Sequence, residues 1–178
     1  ASYLTSRIRA GAGDPLNLQH LQESLLVLRG SPFLRQINTE LEPGATPGTA
    51  NAIVRVTEAN PWQLALEVRN DRPPSVGGEI VEAQISHVNL TGRGDWFSLR
   101  LGIAAERPDG FDTTNEDDWG FDYSLPLSAQ DTRLSISYNQ SSYAIIEEPF
   151  NALDIISESE QIRVGLHHPI VKTLTREF

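Results

Sequence analysis

Hydrophobic and polar positions change period once along this chain, close to residue 60. Before that point the spacing is largely helical. Leu18, Leu21, Leu25 and Leu28 recur three or four residues apart, with Gln19, His20, Gln22 and Glu23 between them; this predicts a helix with one apolar stripe. Asp14 or Asn17 can cap its start, and Gly30-Ser-Pro32 closes it. A shorter helix is expected over 2–10, with Tyr3, Leu4 and Ile8 able to share a face before Gly11, Gly13, Asp14 and Pro15 end it. Ile37, Thr39 and Leu41 then alternate with Gln36, Asn38 and Glu40, and 51–58 alternates again through Ala52, Val54 and Val56. Each pattern reads as a strand, joined by the turn-rich Pro43-Gly44 and Pro47-Gly48. Residues 1–59 therefore form a small α+β module with two helices on an antiparallel pair. Two strands seldom stand alone, so a third is expected upstream of Ala1.

From Pro61 the period is two and stays there. Trp62, Leu64, Leu66 and Val68 alternate with polar or small residues, as do Phe97, Leu99, Leu101 and Ile103. The same holds for Trp119, Phe121, Tyr123, Leu125 and Leu127, for Leu134, Ile136 and Tyr138, and for Ile162, Val164 and Leu166. The less regular stretch 79–90 supplies one more, giving about six strands, each near the ~10 residues of an outer-membrane barrel strand. Short connections at 90–95 and 128–131 alternate with long ones at 104–118 and 142–159, and 70–78 falls on the long side. Short turns at one end and long loops at the other characterise transmembrane barrels, whereas soluble sandwiches mix the two. Trp62, Trp96, Trp119, Phe121 and Tyr138 lie near strand ends, as an interfacial belt would place them. The polar positions carry both signs of charge, with Glu67, Arg69, Arg100, Asp122, Arg133, Arg163 and His167 as candidate lumen-facing residues. Six strands enclose no useful lumen, so 60–178 reads as one arc of a larger antiparallel barrel. That reading requires the apolar face to meet lipid and the polar face to meet a wet lumen. In a soluble sandwich the apolar faces would instead close on each other.

Composition narrows the partners. The 178 residues carry a net charge of −10, which argues against nucleic acid as a partner. The absence of cysteine removes disulfide scaffolds, cysteine-based zinc sites and thiol catalysis. No run approaches the roughly 18 apolar residues of a membrane-spanning helix. The chain begins at Ala1 and has no methionine, as expected of a processed product or a piece of something longer. The excess acid lies in 106–118 and 143–160, expected to be solvated loops. Residues 112–118 are rich in oxygen ligands but lack the spacing of an EF-hand. No metal or cofactor is expected.

There is no Gly-x-Ser-x-Gly elbow. His167 and His168 are adjacent, so on a strand their rings point to opposite faces, and His20 stands alone on a polar helix face. An enzyme is not expected. The rival from another class is a soluble all-β adhesion module, which would display Arg93-Gly94-Asp95 as integrin ligands do; the same tripeptide also suits a tight turn.

The order of several motifs resembles the two-partner secretion transporters of the Gram-negative outer membrane, of the haemolysin-activator and haemagglutinin-exporter type. Glu40-Leu-Glu-Pro-Gly-Ala-Thr-Pro-Gly-Thr49 is similar to the late signature of that family's second POTRA module. Val54-Arg-Val-Thr-Glu-Ala-Asn-Pro-Trp62 resembles the hand-over to its first barrel strand, and 70–78 its first loop. Asn89-Leu-Thr-Gly-Arg-Gly-Asp95 looks like its glycine-rich turn; Tyr123-Ser-Leu-Pro-Leu127 and Glu147-Glu-Pro-Phe150 also fit. The first POTRA module, the plug helix, most of the barrel and the inward-folded loop with its arginine motif have no counterpart among these residues.

The resemblance implies an outer-membrane protein with its POTRA part in the periplasm. It would capture an unfolded exoprotein through that partner's N-terminal secretion domain and export it through the pore. A general outer-membrane assembly factor with POTRA modules is the alternative within this class. Capture has a physical route, since an extended substrate can add as a strand to an exposed sheet edge. The candidate edge carries Arg35, Ile37, Thr39 and Leu41, unless a further strand or a neighbouring module covers it.

Overall fold

The structure, a computed structural model, describes residues 2–47, 49–71, 73–76, 80–104 and 117–170. Two helices come first, α1 (Ser2–Ala12) and α2 (Leu18–Arg29). Asn17, rather than Asp14, caps α2: its side-chain oxygen accepts the backbone N–H of Gln19 and His20 at 3.0 and 3.1 Å, two donors a helix start leaves unpaired. Leu21 and Leu28 are buried, whereas Leu18 is exposed, so only the later part of the apolar stripe meets a core. Strand β1 (Leu34–Pro43) pairs antiparallel with β2 (Ala50–Glu58), setting Ile37, Thr39 and Leu41 opposite Val56, Val54 and Ala52. Among the described residues these two strands form a sheet of their own.

The second sheet is a six-stranded antiparallel meander. Its strands are β3 (Trp62–Arg69), β4 (Ile80–Val88), β5 (Trp96–Ala104), β6 (Asp117–Pro126), β7 (Arg133–Ala144) and β8 (Ile156–His167). The register aligns like with like. Leu64, Ile85, Leu99, Phe121, Tyr138 and Ile162 stand opposite one another across all six strands. On the other face Ala65, Gln84, Arg100, Gly120, Asn139 and Gln161 do the same. Because side chains alternate along a strand, each such row sits wholly on one face.

Two expectations change. The connection before β8 is 145–155 rather than 142–159, because β7 and β8 pair up to Ala144 and Ile156. Glu158 and Glu160 of the second acidic stretch are therefore strand residues and not loop. In the first stretch, Asp117 and Asp118 begin β6, while 105–116 lie outside the described residues. Trp96 is also displaced from the expected outer belt. It stands opposite Val88 and packs on the cluster of Phe33, Leu34 and Val88, together with Tyr3, Leu4 and Val56. This small core sits where the first module meets the sheet. The chain crosses between them at 59–61, where the Ala59 N–H donates to the Phe33 carbonyl at 2.9 Å and the Val88 N–H to that of Pro61 at 3.0 Å.

Candidate functional site

The two faces of the large sheet have an inverted burial. On the apolar face of the interior strands β4 and β5, Leu101 is 51% exposed and Val81, Ile85 and Ile103 39–42%; β3 and β8, at the sheet edges, are open on both faces. On the polar face Ser98 is 2% exposed and Ser86 6%. A soluble sheet does the reverse, since apolar burial is what stabilises it. Among the described residues no second layer covers the apolar rows. Trp119, Phe121 and Tyr138 cluster on this face, with Trp119 and Tyr138 ring centroids 4.7 Å apart. The Trp119 indole N–H donates to Gln140 at 2.9 Å. Trp62 meets the edge of His87 at 4.5 Å.

All seven sequence-derived lumen candidates share the polar face. Glu67 stands opposite Glu82; Arg69 one pleat further, opposite Ile80; Arg100 opposite Gln84; Asp122 opposite Ser98; Arg163 opposite Ser137; and His167 opposite Arg133. They form a network only in part. Glu82 receives Arg69 at 3.1 Å and Arg100 at 3.8 Å, and Arg69 also reaches Asp71 at 3.2 Å. Arg100 continues across β6 to donate to Asn139 Oδ1 at 2.7 Å. Gly120 makes this possible: a Cβ there would overlap Asn139 Oδ1 and come to 3.2 Å from the Arg100 guanidinium. Arg69, Glu82, Arg100 and Asn139, with Glu67 and Asp118, line a recess of about 400 Å³. Arg163 lies away from it and donates to Gln161 at 3.2 Å. Arg133 lies apart from it too, at the start of β7, bonded to Asp131 at 3.1 Å.

The 89–95 turn is closed from within. Asn89, Gly92 and Gly94 have φ of 72°, 78° and 75°, left-handed values that Asn and Gly accept readily. Asp95 is 1% exposed. It accepts the Thr91 backbone N–H at 3.0 Å, the Thr91 hydroxyl at 2.9 Å and the Tyr123 hydroxyl at 3.1 Å. Burial opposes ionisation of Asp95, but these hydrogen bonds outweigh it and hold the carboxyl below its ordinary range. An integrin-type ligand must offer that carboxylate to a receptor, and here it is consumed inside the turn. The adhesion reading loses its one motif.

Helix α1 touches two turns at the same rim. A Cβ on Gly94 would overlap the Tyr3 ring. Arg7 lies over that ring at 4.5 Å and pairs with Asp131 at 2.5 Å, in the next short turn. The edge candidates Arg35, Ile37, Thr39 and Leu41 all lie on β1. That strand pairs with β2 on one side and with no strand on the other among the described residues.

Sequence reasoning missed Glu82, Asn139, Arg7, Asp95 and Asp131 as contact-making residues. Glu82 lies where Ile80 falls on the polar face and His87 on the apolar one, which blurs the two-residue signal. Arg7, Asp95 and Asp131 find their partners far along the chain, where no periodicity points.

No family model matches the chain, and no curated protein does. The solved structures do provide a likeness. The chain is similar in fold to CdiB from Escherichia coli. The superposition has a TM-score of 0.69 at 17% identity and covers 97% of this chain. The chain spans 31% of that CdiB chain, so the likeness concerns a part of CdiB and concerns the fold alone. It is the fold expected from the motif order: a helical module leading into an antiparallel sheet, with no closed barrel among the described residues. Among the described residues no helix is long and apolar enough to cross a membrane; barrels cross with strands.

Proposed function

We propose that this chain is the periplasm-to-membrane junction of a two-partner secretion transporter in the outer membrane. In this reading 60–178 is an arc of the barrel, and the module before it receives an unfolded exoprotein and hands it to the pore. One observation carries the reading: on its interior strands the large sheet leaves Val81, Ile85, Leu101 and Ile103 39–51% exposed, while it shields Ser86 and Ser98 and gathers its ions on the opposite face. Water makes such a surface unfavourable and hydrocarbon makes it favourable. The similarity to CdiB, a two-partner secretion transporter, supports the same reading at the level of fold. Hydrocarbon cannot satisfy an open sheet edge, so the outer edges of β3 and β8 would pair with further strands to close the cylinder. The polar face then lines the lumen, and β1 offers the edge on which an extended substrate adds as a strand. This activity involves no bond-making chemistry.

The three tryptophans test the membrane placement. Single-tryptophan variants of the closed barrel that contains this arc are inserted into vesicles containing brominated lipid, which quenches only fluorophores in contact with acyl chains. Trp62 and Trp119, on the outward face, are quenched; Trp96, inside the junction core, is not. Equal quenching at all three positions, or none at Trp62 and Trp119, would remove the barrel reading.

A further inference from the structure

The contact between the first module and the large sheet is confined to few side chains. Beside it lies a cleft of about 680 Å³, bordered by α1 and α2 on one side and by Ala129, Gln130 and His168 on the other. A broad packed interface would fill that volume. What bridges it is one face of α1. Tyr3 and Arg7 are four residues apart, so they project side by side. They reach two successive turns of the meander, one between β4 and β5 and the other between β6 and β7. Hairpins at one rim are two strands apart, roughly 10 Å, a span that these two long side chains, splayed from adjacent helical turns, can bridge.

The Arg7 contact is shielded from water. Its side chain is 10% exposed and that of Asp131 5%. Asp131 holds a left-handed φ of 69°, closes its turn through an N–H bond to the Ser128 carbonyl at 3.2 Å, and carries Arg133 as a second cation. Arg133 begins β7, so the carboxylate ties the helix, the turn and a barrel strand together. Tyr3 is fixed in turn by Phe33, 5.7 Å away in an edge-on arrangement.

We infer that α1 is a two-point clamp, Tyr3 on the first turn and Arg7–Asp131–Arg133 on the second, that sets the orientation of the first module against the barrel rim. The clamp acts beside the apolar cluster of Phe33, Leu34, Val88 and Trp96, and breaking the ion cluster leaves that cluster to hold the module alone, so that its orientation against the sheet broadens. The clamp goes beyond the transport reading above and rests on it only for its consequence, which is that a captured chain is delivered in a fixed direction.

The test measures docking and not export. The chain has no native cysteine, so Gln22→Cys on α2 and Glu158→Cys on β8 give two unique spin-label sites for pulsed distance measurements on the membrane-inserted chain. Unaltered at the clamp, the labelled chain gives one narrow distance distribution. Asp131→Asn keeps the left-handed backbone accessible but removes the negative charge that both arginines face. Breaking a buried pair in this way shifts the docked-to-released ratio on the order of 100-fold, and a second, broad population appears. Arg7→Ala shifts it in the same direction by less, because Arg133 still neutralises Asp131; Arg7→Lys restores the narrow distribution in part. Unchanged distributions in Asp131→Asn and Arg7→Ala would overturn the clamp. Should Asp131→Asn fail to fold, Arg7→Ala decides alone, since it leaves the turn intact. Lipid quenching on the same samples reports insertion separately, so failure of the membrane reading is distinguishable from failure of the clamp.

Discussion

Leu66 and Ala65 are chain neighbours on opposite faces of β3, and replacing each by arginine separates a lipid-facing surface from a solvated one. Leu66 lies in the outward row between Trp62 and Val68 and is 74% exposed; its neighbours across the sheet are Ala83, Leu101 and Trp119. Burying a leucine side chain in an apolar medium is favourable by about 1.5–3 kcal/mol. With no protein layer over the outward face of β3 among the described residues, most of that gain has to come from the surroundings. If the surroundings are acyl chains, Leu66→Arg forfeits the gain and places a guanidinium near the middle of the apolar band, where an outer-membrane barrel loses about 2–4 kcal/mol. If they are water, an exposed substitution stays within roughly 0.5 kcal/mol. Ala65→Arg, beside Gln84 on the polar face, is near neutral in the barrel because the lumen hydrates it. The assay is denaturant-dependent folding into lipid vesicles, with midpoint and slope read for each variant. A Leu66→Arg loss below about 0.5 kcal/mol, or equal losses for the two variants, would refute the assignment of the faces.

Three further outcomes follow from single contacts. Gly120→Ala pushes a methyl group into the path of Arg100 towards Asn139; losing that charge-assisted bond costs about 1.5–3 kcal/mol, visible as a lower denaturation midpoint, whereas Gly92→Ala, with open space around its Cβ, meets only backbone strain. Asp95 has a lowered pKa, so its contribution to stability is complete above the unfolded value of about 3.9 and disappears as pH falls through the lower folded value. Asp95→Asn should flatten the acid limb of a stability-against-pH curve, and an unchanged limb would show that another carboxylate sets it. Thr39→Pro removes a backbone donor from β1 and should depress export of the secreted partner while leaving barrel insertion intact; undiminished export would take this strand out of the capture step.

Periodicity alone determined a good deal here. Among the described residues it located both helices and the eight strands to within a few residues, and it separated the two faces of the large sheet. Glu67, Arg69, Arg100, Asp122, Arg133, Arg163 and His167 could be assigned to one side because a strand places alternate residues on opposite faces regardless of what lies beyond them. The two-residue pattern does not say which face is covered, because a sandwich and a barrel share it. The structure gave direction to the pattern by shielding Ser86 and Ser98 while leaving Val81, Ile85, Leu101 and Ile103 exposed. Contacts between distant segments were also beyond the sequence: Arg7 with Asp131, Tyr3 against Gly94, Asp95 with Tyr123, and Trp96 turned into the junction core instead of the outer belt. Such pairs depend on how the meander and the first module dock in three dimensions. Local propensity, which acts over a few residues, carries no record of that arrangement.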